Sequence, residues 1–173
     1  MEEFAQMLMY TVPSVIVGAV AYLLAKKFID REHQRTLLEL RKENQKYSAP
    51  LVMQGYERLM LLLERSQIPG IISRVHRQGM SARLMQNEIT TTIRAEFDHN
   101  ITQQLYVSKN AWEYVKKSRD ESIKLVNMAA TKVNDGANAL EYSRELLTML
   151  AAQETDWNQK AIEVLRSEFR KSF

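Results

Sequence analysis

The chain has 173 residues, with 24 Lys and Arg against 21 Asp and Glu, a formal net charge of +3 and no cysteine. That length allows one anchor and one folded domain. Without cysteine there is no disulfide framework and no thiolate metal site, and the compartment is left open because neither a reducing nor an oxidising one demands thiols.

The run Phe4 to Ala25 contains no Asp, Glu, Lys, Arg or His, and 17 of its 22 residues are apolar. As a helix it would cover ~33 Å, against a bilayer hydrocarbon core of ~30 Å. Pro13 removes one helix N–H, which a neighbouring turn or hydroxyl can offset inside a span. A soluble core helix of this length would carry a polar face. Ala19-Val20-Ala21 has the small-x-small form of a signal-peptide cleavage site, but Glu2 and Glu3 make the preceding region acidic, and the apolar run continues through Tyr22 to Ala25. The sequence thus predicts a transmembrane anchor over 1–27.

Lys26, Lys27, Arg31 and Arg35 flank the run on one side and only Glu2 and Glu3 on the other. Basic residues stay on the cytoplasmic side, so the N-terminus is expected outside and the remaining chain in the cytosol, at the inner membrane. Ser14, Gly18, Ala21 and Ala25 fall on one helical face and are small enough to let a partner span approach closely.

From Lys26 to Tyr47 there are seven basic and four acidic residues. Residues 28–47 read as a charged juxtamembrane helix or stalk, with a weak heptad trace at Ile29, Thr36, Leu40 and Tyr47. Much of the basic excess is therefore a membrane flank, and nucleic acid is not an expected partner. Ser48-Ala49-Pro50 predicts a fresh helix start and the beginning of a cytosolic helical domain over 48–173. The run Leu59 to Leu63, LMLLL, is apolar all round and predicts burial between several neighbours. Pro69-Gly70 and Gly79 punctuate the longest non-periodic stretch, which reads as a loop, and Ser81 opens the next helix.

Along that helix Met85, Ile89, Ile93, Phe97, Ile101 and Leu105 recur every four residues. Each step turns ~400°, so the stripe drifts by ~40° and cannot face one straight partner throughout. The helix should cross obliquely or break near Asn100. Asn110 with Glu113 predicts the cap of a helix bearing Trp112, Val115, Val126 and Val133, which Gly136 in the segment NDGAN would end as a left-handed cap. A helix around Leu140 to Leu150 and another opened by Asp156 with Gln159 complete an all-α reading, with 136–173 a potentially separate pair.

Catalytic motifs are scarce. Glu96 and His99 stand at i and i+3, as in di-iron bundles, but that chemistry needs a second such pair and two more carboxylates. No glycine-rich phosphate loop or HExxH occurs. No metal, cofactor or catalytic residue is assigned, and the chain is expected not to be an enzyme. The sharper feature is charge segregation. Arg65 to Asn87 holds Arg65, Arg74, Arg77, Arg83 and His76 without an acid, while Asp135 to Glu163 holds six acids and two bases. Arginines in an acid-free segment suit carboxylate or phosphate, so these five residues form a candidate surface for an anion or partner. No aromatic interleaves with them, which disfavours a platform for single-stranded nucleic acid.

The stretches LELRKENQKYSAPLVMQGYERLMLLLER, GMSARLMQNEITTTIRAEFDHNITQQLYVS and AWEYVKKSRDESIKLVN resemble an uncharacterised family of small membrane-anchored proteins from Bacteroidota. The resemblance runs to about Ala130 and implies an N-terminal span, a charged stalk and a helical cytosolic region. It implies no activity, and it leaves Glu96, His99, Asn100, Gln103 and Tyr106 without a role. The resulting expectation is a non-catalytic, single-pass accessory or scaffold subunit of an inner-membrane assembly. Its partners would be the bilayer and integral membrane proteins, with a homo-oligomer also allowed. The alternative is a membrane-surface adaptor that binds an anionic ligand, lipid or nucleic acid through the arginine-rich segment.

Overall fold

A computed structural model describes residues 2–172, with side chains described throughout except at 2–8, 10–15, 17, 19, 21, 41, 44 and 172. The described residues form α1 (Glu2–Arg65), α2 (Ile68–Val75), α3 (Ala82–Asn100), a 3-10 helix (Ile101–Leu105), α4 (Lys109–Ala130), α5 (Ala139–Ala151) and α6 (Trp157–Ser172). The chain divides into two compact units, Met1–Ala49 and Pro50–Phe173. The all-α expectation holds.

In the first unit, every described side chain from Tyr22 to Ser48 is exposed. Among the described residues no helix is long and apolar enough to cross a membrane. The span expected over 1–27 therefore has no support from the described residues, and most side chains of its apolar run lie outside them.

The helix start expected at Ser48-Pro50 is corrected: α1 continues through Pro50 to Arg65. Proline deletes one ladder bond and crowds the carbonyl four residues back. Residues 45–48 are exposed, so water can take up the Lys46 carbonyl and the helix need not end.

The second unit is built on helical periodicity. Gly55, Tyr56, Leu59, Leu62, Leu63 and Ser66 are buried at three- and four-residue steps along the end of α1 and into the turn after it. Met60 is half-buried and Leu61 is 54% exposed, so the LMLLL run presents one face rather than burying all round. The stretch expected as a loop contains α2. Pro69 sits in its first turn, where the absent N–H costs nothing, and Ile68, Ile71 and Val75 enter the core. Gly79, at φ 79°, then turns the chain. It is the one positive-φ residue among those described, a conformation that glycine adopts without strain.

Ser81 caps α3 as expected, its hydroxyl accepting from Leu84 N. It also pairs with Asn138 in an isolated antiparallel bridge, through Ala82 N to Ala137 O (3.0 Å) and Ala139 N to Met80 O (2.8 Å). Asn138 in turn caps α5 by accepting from Leu140 and Glu141 N. Helices α3 and α5 therefore start from one pinned point. The basic and acidic segments meet here, but by backbone bonds, and no ion pair joins them among the described residues.

Met85, Ile89, Ile93 and Phe97 are buried, and α3 breaks at Asn100, where the side-chain amide donates to the Glu96 carbonyl (2.9 Å). Beyond the break the stripe leaves the core: Ile101 and Leu105 are 50% and 79% exposed. The cap of α4 is Ser108, not Asn110, with the Ser108 hydroxyl accepting from Ala111 N at 3.1 Å. Helix α4 ends at Ala130 with Thr131 as its cap, so the left-handed cap expected at Gly136 is also corrected. Asp156 opens α6 as expected, accepting from Asn158 N and Gln159 N. Tyr142, Leu146, Ala161, Ile162 and Leu165 of the last two helices belong to the same core as Leu59, Leu62 and Leu63.

Candidate functional site

Of the five residues of the candidate anion surface, the structure brings Arg65 and Arg74 together. Arg65 makes an ion pair with Glu96 at 2.8 Å, and its carbonyl accepts from Arg74 Nη2 at 2.6 Å. Arg65 and Arg74 are thus held by the protein itself. His76 caps the end of α2, its backbone N–H donating to Ile72 O, and its side chain is exposed like those of Arg77 and Arg83. Of the predicted small-residue face, Gly18 and Ala25 are exposed, and Ser14 and Ala21 lie outside the residues with described side chains. The Glu96 carboxylate serves Arg65, His99 is exposed, and no group of three or more potential metal-ligating side chains gathers among the described residues.

Two features arise instead from residues distant in sequence. One is the junction of α1, α4 and α6 at Glu168. Its Oε1 accepts from Tyr56 OH (2.6 Å) and Ser108 N (2.8 Å), and its Oε2 accepts from the Ser108 hydroxyl. Partial burial pushes this carboxyl up, but the bonds from the Ser108 side chain, Tyr56 and the Ser108 amide, with Lys171 nearby, outweigh it and hold the group below its ordinary range. The Tyr56 ring meets Phe169 edge-on at 5.4 Å. Beside this junction Met53, Met60 and Leu165 extend an apolar surface groove of about 270 Å³, with Glu57 and Arg166 also lining it.

The other feature is a cavity of about 120 Å³ with a mixed polar and apolar lining, between the α1–α2 turn, the middle of α4, the end of α5 and the start of α6. Ser66 and Asn158 are among its lining residues, and Ser66 Oγ and Asn158 Oδ1 are buried without a hydrogen-bond partner among the described residues. An unsatisfied buried polar group costs about 1–3 kcal/mol. Trp157 forms part of the wall, with Lys117 Nζ 3.6 Å and Lys160 Nζ 5.3 Å from its ring centroid.

Sequence reasoning missed Ser66, Asn158, Glu168, Ser108 and Tyr56. The one signal available for them was an isolated polar residue on an otherwise apolar helical face, as Ser66 is in the register of Leu59, Leu62 and Leu63.

No curated protein and no solved structure shows significant similarity to the chain. A family of unknown function, DUF7935, matches residues 2–172, which takes in the last forty residues as well as the region to Ala130. The chain, from its long first helix to the end of α6, belongs to the DUF7935 family.

Proposed function

We propose that the protein is a non-catalytic, single-pass accessory or scaffold subunit of an inner-membrane assembly. In this reading its N-terminus faces outward and its helical unit is cytosolic. The observation that carries it is the exposure of every described side chain of α1 from Tyr22 to Ser48, which leaves Leu23, Leu24, Phe28, Ile29, Leu37, Leu38 and Leu40 all more than half exposed. Apolar side chains in that number on one helix call for a cover. The bilayer supplies it near the 4–25 run, and a partner helix supplies it beyond. The acid-free 4–25 sequence and the Lys26-Lys27 flank support the span and its orientation.

The test is purification of the tagged full chain, at native abundance and in mild detergent, followed by mass spectrometry. An integral membrane protein should co-purify in fixed stoichiometry, and Gly18→Ile with Ala25→Ile should release it while the chain stays in the membrane fraction. Recovery of the chain alone as a monomer would overturn the reading. The alternative of anion binding at the membrane surface now rests on His76, Arg77 and Arg83, since Arg65 and Arg74, though also exposed, are engaged with Glu96 and the Arg65 carbonyl. Reversal of Arg77 and Arg83 to Glu should abolish salt-dependent association with anionic vesicles if that reading holds.

A further inference from the structure

The apolar groove between α1 and α6 has walls of opposite charge. Glu57 stands on the α1 wall and Arg166 on the α6 wall, both exposed, with Met53, Met60, Leu165 and Phe169 as apolar lining. Met53 leaves 47% of its surface in water. Neither Glu57 nor Arg166 makes an ion pair among the described residues.

Two hydrogen bonds fix how the walls run. Tyr56 OH donates to Glu168, and Asn158 Nδ2 donates to the Leu63 carbonyl, so α6 descends where α1 rises and the two segments are antiparallel. Glu57 follows Tyr56 directly, and Arg166 comes shortly before Glu168. At ~1.5 Å of rise per residue, the acid and the base therefore sit at nearly one level along the groove.

That pattern is complementary to itself. Most homo-oligomers close about a two-fold axis, which brings the same patch of both copies together. A two-fold running across the helices would lay α1 on α1 and set Glu57 against Glu57. A two-fold parallel to the helices lays α1 of each copy on α6 of the other, and Glu57 then meets Arg166 twice at the same level. Every adjacent pair of helices is antiparallel in that arrangement, as in up-down four-helix bundles.

We propose that this groove is covered by the same groove of a second copy of the chain, about a two-fold axis parallel to α1 and α6. Met53, Met60 and Phe169 supply the apolar centre, and the two Glu57–Arg166 pairs set the register. The facing segments are ~20 Å long and two helix widths, ~20 Å, across, or ~400 Å² per copy. That is about half of a standard interface, so the dimer is weak and reversible. It needs no other protein and no membrane partner, so its failure and the failure of the scaffold reading are separate results.

The test is sedimentation velocity of the full chain in mild detergent over a concentration series, where a reversible dimer is expected. Glu57→Arg or Arg166→Glu alone should weaken it about tenfold, because symmetry applies each change at two contacts. Glu57→Arg with Arg166→Glu in one chain should restore it. Both positions are exposed, so all three variants should keep a cooperative melt. The chain lacks cysteine, which allows a second measurement. A Glu57→Cys chain mixed with an Arg166→Cys chain should form an interchain disulfide on oxidation, and the Glu57→Cys chain alone should not. The proposal is overturned by a monomer at every concentration, by single reversals that leave association unchanged, or by a double reversal that associates no better than the singles. A mixture that forms no more disulfide than the Glu57→Cys chain alone would overturn it as well.

Discussion

Gly55 lies inside a helix, where replacement by alanine ordinarily helps. A glycine in that position costs about 0.5–1 kcal/mol relative to alanine through backbone entropy. Here the added Cβ would stand 2.6 Å from Tyr106 Cβ, 2.8 Å from its Cδ2 and 2.9 Å from its Cγ. The nearest atom is the base of the side chain, so rotating the ring cannot clear the contact and the Tyr106 backbone must shift. Tyr106 is two residues from Ser108, whose amide and hydroxyl hold Glu168. Overpacking of this kind costs about 1–3 kcal/mol, which exceeds the propensity gain. Gly55→Ala should therefore destabilise the fold by about 1–2 kcal/mol net, or lower Tm by about 2–8 °C for a chain of this size. Thermal melts followed by far-ultraviolet circular dichroism on the full chain measure this. Gly70→Ala provides the internal control. Its Cβ would meet only Arg74 Nη1, at 3.9 Å, so it should leave Tm unchanged or raise it slightly. In a Tyr106→Gly background the cost of Gly55→Ala should largely vanish, since contacting residues are not additive. A Gly55→Ala protein that melts at or above the wild type would refute the reasoning.

Three further outcomes are expected. The Glu168 carboxyl is held below its ordinary value of 4.5, so its contribution is fully present above that pH and is lost as pH falls through the lower folded value; Glu168→Gln should flatten the acid limb of a pH-stability curve, and an unchanged limb would remove the carboxylate from the account. Deleting 137–173 removes Tyr142, Leu146, Ile162 and Leu165, each buried to 2% exposure or less. At about 1.5–3 kcal/mol per buried side chain, that loss matches a typical total stability of about 5–15 kcal/mol. The truncated chain should aggregate on size exclusion, and a monomer with unchanged Tm would contradict it. A C-terminal reporter active only outside the cytosol should stay silent while a cytosol-only fluorescent reporter at the same end is bright; the opposite pattern would reverse the topology.

What the sequence determined by itself is local. The all-α class follows from apolar residues at three- and four-residue steps, because that period is a property of the helix alone. The Ser81 and Asp156 caps and the α3 break at Asn100 were legible for the same reason: a short polar side chain bonds backbone groups within four residues of itself. Where local signals competed, the fold arbitrated. Pro50 carries a helix-start signal, yet α1 continues through it. Asn110 was expected to cap α4, but Ser108 takes that place and has the further bonds to Glu168, 60 positions away. Ile68, Ile71 and Val75 form a helix in a segment punctuated like a loop, because the core gives their apolar face somewhere to go. Both candidate sites belong to this second kind. Arg65 and Arg74 looked free in the sequence until Glu96 and the Arg65 carbonyl took them up. Asn158 and Leu63 stand 95 positions apart, and only packing α6 against the end of α1 joins them and buries Oδ1. Periodicity reports which face of a helix is buried, and it is silent on which polar atoms meet there, because that depends on the positions of other helices.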